Sequence, residues 1–222
     1  MKSFGKELID LIRESDAYYK DLVTRSIYHS NAIEGNSLTL DEVYAILFEP
    51  NYVCTALHKE FYEVVNLKDV LCCSLKSLDE ELSIGLIKQL GVMLNRQINE
   101  IDGFRKTRVV LQGVNYEPPN AYDVPRLLGE AILEYNKSEA DLFRRISLFH
   151  IRFERIHPFS DGNGRVGRAL IVRELVKNGL APAVLPKSSR ANYFNFLAQQ
   201  DVDGLASYLR ELSDWEINRM MK

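Results

Sequence analysis

The sequence is poor in cysteine and has no long apolar run. Its three cysteines, Cys54, Cys72 and Cys73, include no C-x-x-C pair, and an odd number argues against a secreted disulfide framework. No stretch reaches the length of a membrane-spanning helix, and the N-terminal residues lack the apolar segment of a secretory signal. We therefore expect a cytoplasmic protein with no membrane partner.

The chain also lacks a strong net charge. Its 28 Lys and Arg against 31 Asp and Glu give a formal charge of -3, which provides no general attraction to nucleic acid. Hydrophobic residues make up 46% and charged residues 27% of the chain, as is usual for a soluble globular protein. We predict a single domain over residues 1–222, with no nucleic-acid partner, and expect any anion site to be local.

Arginine, by contrast, is concentrated between positions 144 and 173. The segment contains no lysine, and its only acidic residues are Glu154 and Asp161. Its arginines are Arg144, Arg145, Arg152, Arg155, Arg165, Arg168 and Arg173. The planar guanidinium suits bidentate phosphate contacts, although a solvated helix face would also be rich in arginine.

Apolar residues recur at spacings of three and four along most of the chain, which predicts a mostly α fold. The predicted helices span 6–33, 39–48, 57–77, 80–99, 123–136, 140–156, 164–178, 189–200 and 203–220. Thr39 and Glu42 form a capping box, and Gly179 is suited to end a helix. Residues 107–120, TRVVLQGVNYEPPN, break this pattern and predict a short β-hairpin on a helical body.

The stretch HPFSDGNGRVGR, residues 157–168, matches the dinucleotide-binding pattern G-x-G-x-x-G. That pattern requires a strand before the first glycine, whereas the preceding residues have helical spacing, so the context excludes a Rossmann site. A Walker loop is also absent. His150, Glu154 and His157 have the spacing of metal ligands, but Pro158 should hold His157 extended and the nearby arginines would repel a dication. We favour His150 as a partly buried core residue.

The same stretch has the features of a phosphate site. A helix that ends just before His157 should lead through a glycine loop into a helix starting at Arg165, whose positive end can face an anion. Arg165 and Arg168 lie on one helix turn and can reach one polyphosphate. Asp161 can hold Mg²⁺ that bridges phosphate oxygens, and His157 can accept a proton from a hydroxyl. Phe159 should anchor the loop in the core.

HPFSDGNGRVGR fills every position of the motif H-P-F-x-[DE]-G-N-G-R-x-x-R and so resembles Fic-domain proteins. The resemblance implies a helical bundle that transfers AMP from ATP to a hydroxyl side chain of a target protein. His157 would be the general base and Asp161 the Mg²⁺ ligand. The other ATP-binding positions of the motif would be Gly162, Asn163, Gly164, Arg165, Val166, Gly167 and Arg168. Members that transfer other groups tend to depart from G-N-G-R, which this chain retains.

The resemblance extends to the rest of residues 123–210, the expected catalytic core, and to the segment before it. Residues 107–120 resemble the family's flap, a hairpin that pairs with the target backbone; its edge beside the nucleotide would be Val110, Leu111, Gln112 and Gly113. RANYFNFLAQQD resembles the helix that closes the adenine pocket, with Tyr193, Phe194 and Leu197 against the base. The family often has asparagine where this chain has Asp201. Core packing is the alternative role of these aromatic residues.

Upstream, HSNAIEGN resembles the family's inhibitory motif [S/T]-x-x-x-E-[G/N], in the subclass with an N-terminal inhibitory helix, here about 16–35. The resemblance implies that Glu34, with Ser30 one helix turn earlier, forms a salt bridge to Arg168 and blocks productive ATP binding. On its own, S-x-x-x-E-G is more often an exposed helix end.

Three functions remain open on this sequence. The first is an autoinhibited protein adenylyltransferase; the second is a de-AMPylase in which Glu34 orients a water; the third is a non-catalytic ATP-binding module. The candidate target proteins include a copy of this chain. The C-terminal helix has an apolar face suited either to the core or to a second subunit, which leaves a homodimer open.

Overall fold

The computed structural model describes residues 16–110 and 116–220, and every regular element there is helical. The α-helices are α1 Asp16–Ile33, α2 Leu40–Phe48, α3 His58–Lys76, α4 Ile84–Leu94, α5 Val124–Lys137, α6 Leu142–Ile156, α7 Asn163–Lys177, α8 Arg190–Gln199 and α9 Val202–Met220. Short 3-10 helices, Ala121–Asp123 and Lys187–Ser189, precede α5 and α8. None of the described helices is long and apolar enough to cross a membrane.

Local signals in the sequence account for several helix ends. Thr39 and Glu42 form the predicted capping box, with the Glu42 carboxylate accepting from the Thr39 backbone N–H at 2.8 Å. Gly179 has φ 72° and follows α7 as its stop. The prediction for 80–99 is too long at both ends, because the Ser83 hydroxyl caps the start of α4 and the chain turns at Asn95.

One hydrophobic core takes buried side chains from every described α-helix. Within it, α6 packs against α7, α3 and α4 pack against α7, and α5 and α9 pack against α6. α1 packs against α3 and α7. Side-chain contacts join the end of α1 to the start of α7. The C-terminal helix α9 buries Leu205 and Leu209 in this core.

The hairpin predicted at 107–120 is wrong for the described part of that segment, 107–110 and 116–120, which contains no strand. Two carbonyls that a hairpin would use are taken by the Arg105 guanidinium, which donates to Thr107 O at 3.0 Å and Pro119 O at 2.5 Å. Proline at 118 and 119 supplies no N–H to a strand ladder. The Arg105 side chain therefore joins the two arms of the segment, 107–110 and 116–120.

The predicted flap edge falls largely outside the described residues. Leu111, Gln112 and Gly113 are outside the described residues, whereas Val110 is described and its side chain is exposed. On either side of them, Arg108 and Glu117 form an ion pair between the two arms.

Candidate active site

His157 ends α6 in a left-handed backbone conformation, with φ 51° and ψ 63°. The expectation that Pro158 holds His157 extended is wrong, because His157 still closes the helix: its N–H donates to Phe153 O at 3.0 Å. Its own carbonyl accepts from Arg105 Nε at 2.7 Å. Such contacts offset the roughly 1–2 kcal/mol that this conformation costs a residue other than glycine.

The His157 imidazole is held in one tautomer. Its Nδ1 lies 3.3 Å from the carbonyl oxygen of Glu154, and a carbonyl can only accept, so Nδ1 carries the proton and Nε2 keeps its lone pair. Burial lowers the pKa of His157 below its usual value. The ring is therefore neutral at neutral pH and can accept a proton at Nε2.

The loop after His157 is anchored in the core. Phe159 is fully buried, as predicted, and its ring lies so close to Gly91 that a Cβ there would collide with it. The Asn163 amide closes the loop with two bonds of 2.9 Å, accepting from Phe159 N–H and donating to Phe159 O. This motif asparagine therefore fixes the loop shape.

Gly162 makes the turn into α7 with φ 84°, a conformation that favours glycine. α7 then begins at Asn163, one residue before the predicted span 164–178. The Asp161 carboxylate lies beside this turn, and its Oδ1 accepts from Gly162 N–H at 2.6 Å and from Arg165 Nη2 at 3.3 Å. Among the described residues, no hydrogen bond uses Oδ2.

Two motif positions face the interior instead of the loop. Val166 is fully buried in the core. A Cβ on Gly167 would collide with His150 and crowd Glu154, so glycine allows α6 and α7 to approach closely at this position. The structure thus gives both residues packing contacts.

The side chains of Glu34 and Arg168 meet across 134 positions of sequence. Glu34 Oε1 lies 2.7 Å from Arg168 Nη2. Ser30 accepts two further hydrogen bonds of 2.9 Å from Arg168: its Oγ accepts from Nε, and its carbonyl oxygen accepts from Nη2. The Arg168 side chain is 5% exposed and that of Glu34 is 35% exposed. Burial alone would lower the pKa of Arg168, but the Glu34 carboxylate raises it overall.

The Glu34 carboxylate also occupies space beside the motif glycines. A Cβ on Gly164 would collide with Glu34 Oε1 and with the Arg168 guanidinium. Gly164 is in the first turn of α7, where backbone N–H groups and the helix dipole attract an anion. In this conformation, a carboxylate from the same chain lies where an anionic ligand would approach.

Arg165, the other motif arginine, has a different carboxylate partner. Its Nη1 lies 3.1 Å from Oε1 of Glu63 on α3, and both side chains are buried. The remaining Glu63 oxygen accepts from the Asn36 amide at 2.8 Å. Arg165 is therefore held between buried Glu63 and more exposed Asp161.

A buried polar cluster lies behind Arg168. His150 Nε2 is 2.8 Å from the hydroxyl of Tyr193, whose ring packs near the Arg168 guanidinium. Burial lowers the pKa of His150 to about 3 and raises the pKa of Glu154 to about 8. Both groups are therefore neutral at pH 7. In the described part of the chain, no group of three or more His, Cys, Asp or Glu residues is arranged to hold a metal ion.

The residues predicted for the adenine pocket differ in environment. Tyr193 is fully buried, whereas Phe194 and Leu197 are half-buried and keep surface available to a ligand. Asp201 is exposed, and its carboxylate accepts from Gly204 N–H at 2.8 Å at the start of α9.

Two residues of the site carry no signal in the sequence. Arg105 fixes the His157 carbonyl, and Glu63 pairs with Arg165. Each lies far from the motif in the sequence, and only the fold brings it there.

The chain has relatives among known proteins. Residues 81–175 match the model of the Fic/DOC family. The chain is 28% identical over 220 residues to a Drosophila grimshawi protein named protein adenylyltransferase Fic, covering 94% of this chain and 45% of that protein. The Drosophila melanogaster protein of the same name is 28% identical over 202 residues, covering 88% and 41%. The chain thus spans less than half the length of these curated relatives.

Solved structures share the fold. A structure of Fic-1 from C. elegans superposes with a TM-score of 0.79 at 25% identity, covering 97% of this chain and 69% of that one. A Fic domain containing signaling protein from Bacteroides thetaiotaomicron has a TM-score of 0.79 at 22% identity, covering 99% and 95%. With the complete motif at the start of α7 and the family match over 81–175, these likenesses show that the chain carries a Fic domain.

Proposed function

We propose that the protein is an adenylyltransferase that moves AMP from ATP to a hydroxyl of a target protein, and that Glu34 holds it inactive. The observation that carries the proposal is the neutral His157 imidazole, with Nε2 available, at the entrance of a glycine loop followed by two motif arginines. The adenylyltransferase names of the Drosophila relatives support AMP as the transferred group.

The proposed reaction is a displacement at the α-phosphorus of ATP. His157 Nε2 takes the proton of the target hydroxyl while the hydroxyl oxygen bonds to that phosphorus. The bond between the α-phosphorus and the bridging oxygen breaks, and pyrophosphate leaves. The N–H groups of Asn163 and Gly164, together with the start of α7, would face the phosphate charge, while Gly162 would shape the turn. Arg165 and Arg168 would bind the outer phosphates.

The residues present also fit Mg²⁺. Asp161 is half exposed, and Oδ2 makes no hydrogen bond among the described residues. Mg²⁺ is commonly held by one or two carboxylates together with waters and substrate phosphates, so one carboxylate at this position suffices. When bound, the ion would neutralise phosphate charge.

The proposed brake is the pairing of Glu34 with Arg168. While Arg168 bonds Glu34 and Ser30, it is not available to the γ-phosphate, and the α-phosphate would be misaligned. A 99:1 preference for a closed state corresponds to about 2.7 kcal/mol. One hydrogen bond to a charged group contributes roughly 1.5–3 kcal/mol, so the contacts of Glu34 and Ser30 are sufficient.

The remaining substrate contacts are assigned to residues whose side chains keep exposed surface. We place adenine against Phe194 and Leu197, which keep exposed surface. The target backbone would lie along 107–120, with Val110 at the described end of the flap edge.

The experiment that tests the function compares donors. Glu34→Gly protein is incubated with Mg²⁺ and α-labelled or γ-labelled ATP, and protein-bound label is counted. AMP transfer predicts label from α-labelled ATP alone, and loss of about 10²–10⁴ in rate when His157→Ala is added. Protein-bound label from γ-labelled ATP would reject the assignment, and so would an absence of label from both forms of ATP. If the protein binds ATP but takes up no label, a non-catalytic ATP-binding module is favoured.

One observation favours a second activity, removal of AMP from a modified target. Glu34 binds Arg168 through Oε1, and no hydrogen bond among the described residues uses Oε2, which could orient a water. Incubation of an AMP-modified target with the unaltered protein tests this. AMP release that Glu34→Gly abolishes supports the second activity, whereas release that persists in that variant rejects it.

A further inference from the structure

The two motif arginines differ in how deeply their carboxylate partners are buried. Glu34, the partner of Arg168, is 35% exposed. Glu63, the partner of Arg165, is 9% exposed and comes from the second turn of α3, which packs against α7. A residue just after the end of a helix can withdraw, whereas a buried residue inside a packed helix cannot do so without disturbing the core. The two carboxylates are therefore suited to different tasks.

Glu63 is held in place from its other side. Its Oε2 accepts from Asn36 Nδ2 at 2.8 Å, and Asn36 Oδ1 in turn accepts from Leu38 N–H at 3.1 Å. Asn36 is 7% exposed and follows Glu34 by two residues. Both Glu63 oxygens are thus engaged, one by Arg165 and the other by the segment that carries the brake.

The contacts of Arg165 show which end of its side chain faces a ligand. Nη1 lies against buried Glu63, whereas Nη2 is 3.3 Å from Asp161, which is 42% exposed at the loop. Among the described residues, neither Nη1 nor Nε has a hydrogen-bond partner, so Nη1 and the Glu63 carboxylate meet as an ion pair. Glu63 is therefore the buried contact that orients the guanidinium with Nη2 towards the loop.

We propose that Glu63 is a positioning residue for ATP binding, which holds Arg165 by Nη1 so that Nη2 stays directed at the phosphates. The proposal rests on the function above, because it concerns an arginine assigned to ATP. It gives Glu63 a role opposite to that of Glu34: loss of Glu34 should favour the nucleotide, and loss of Glu63 should weaken its binding.

Calorimetry of ATP binding in the Glu34→Gly background tests the proposal without depending on transfer. Glu63→Gln keeps the shape but removes the charge and leaves one acceptor for two donors. We expect ATP affinity to fall about tenfold or more, because Arg165 loses the buried carboxylate that pairs with its guanidinium. Glu60→Gln is the matched control: Glu60 lies one turn earlier on α3, binds exposed Ser37 and does not contact Arg165, so affinity should stay unchanged.

Two further variants separate positioning from stability. Glu63→Asp keeps a carboxylate and should restore part of the affinity, and it serves alone if Glu63→Gln does not fold. In an Arg165→Ala background, Glu63→Gln should cause no further loss, because Glu63 acts through Arg165. Unchanged or tighter ATP binding upon Glu63→Gln would overturn the proposal. So would an equal loss of ATP affinity upon Glu63→Gln in the Arg165→Ala background. Protein that binds ATP but transfers nothing overturns only the proposed function, and absence of ATP binding by Glu34→Gly protein overturns both.

Discussion

Arg168 Nη2 and Glu34 Oε1 lie 2.7 Å apart, at the point where the end of α1 meets the start of α7. The same carboxylate fills the space that a Cβ on Gly164 would need. A single glutamate thus engages a motif arginine and lies over the first turn of the helix proposed to bind phosphate. Ser30, one turn earlier on α1, strengthens the contact.

Ser30→Ala should weaken the brake without removing it. The change deletes the hydroxyl that accepts from Arg168 Nε, while the Ser30 carbonyl and Glu34 remain. Loss of one hydrogen bond to a charged group, roughly 1.5–3 kcal/mol, corresponds to a rise in transfer of about tenfold or more. Initial rates with α-labelled ATP measure it. Ser37→Ala is the control, since Ser37 binds Glu60 away from Arg168, and an equal rise in both variants would contradict the role of Ser30.

The transfer rate should depend on His157 ionisation. Burial lowers the pKa of His157 below the usual histidine pKa of about 6.5. The imidazole is therefore neutral at every pH above this lowered pKa. Because the base must be neutral, kcat/KM of Glu34→Gly protein should fall as the pH drops through that lowered pKa and should be flat just above it. A pH–rate profile checks this, and an acidic midpoint at or above about 6.5 would speak against a buried neutral base.

Stability should decrease from mildly acidic to mildly alkaline pH because of Glu154. Burial raises its folded-state pKa to about 8, so between the unfolded value and 8 the folded protein binds more protons than the unfolded one. This contribution to stability is complete at low pH and is lost as the pH rises through 8. Thermal unfolding at pH 6 and pH 9 should show a fall of a few degrees that Glu154→Gln reduces. An equal fall in melting temperature in the unaltered protein and in Glu154→Gln would show that other groups cause it.

Gly91→Ala should disturb the motif loop from a distant helix. The added methyl would collide with the Phe159 ring, and overpacking in a buried position costs about 1–3 kcal/mol. Urea unfolding should show this loss, and adding Phe159→Leu should recover part of it. Gly85→Ala on the same helix is the control, because its nearest neighbour is 3.8 Å away. Equal losses for both glycine variants would exclude a specific contact.

The sequence predicts the helices well because their apolar spacing and caps are local. The box at Thr39 is an example, since its partners are three residues apart. Within the motif, the bend at Gly162 and the anchoring of Phe159 are likewise predictable from residue type.

Features that depend on tertiary contacts were not predictable in this way. The arms of 107–120 form no strand where they are described, because Arg105 takes their carbonyls, and Arg105 shows no pattern in the sequence. The left-handed His157 goes against the local preference before proline and is fixed by the same arginine. Glu63 meets Arg165 only because α3 packs on α7.

The central claim is that Glu34 restrains a complete active site by holding Arg168. The most direct measurement is the initial rate of AMP transfer from α-labelled ATP by the unaltered protein, Glu34→Gln and Glu34→Gly, at equal concentration and with folding verified. We expect a rise of at least about tenfold for Glu34→Gly, since one charge-assisted bond is lost. Glu34→Gln should fall between the other two, because an amide can still accept from Arg168 without its charge. Equal rates in the three proteins, or a lower rate in Glu34→Gly, would contradict the account.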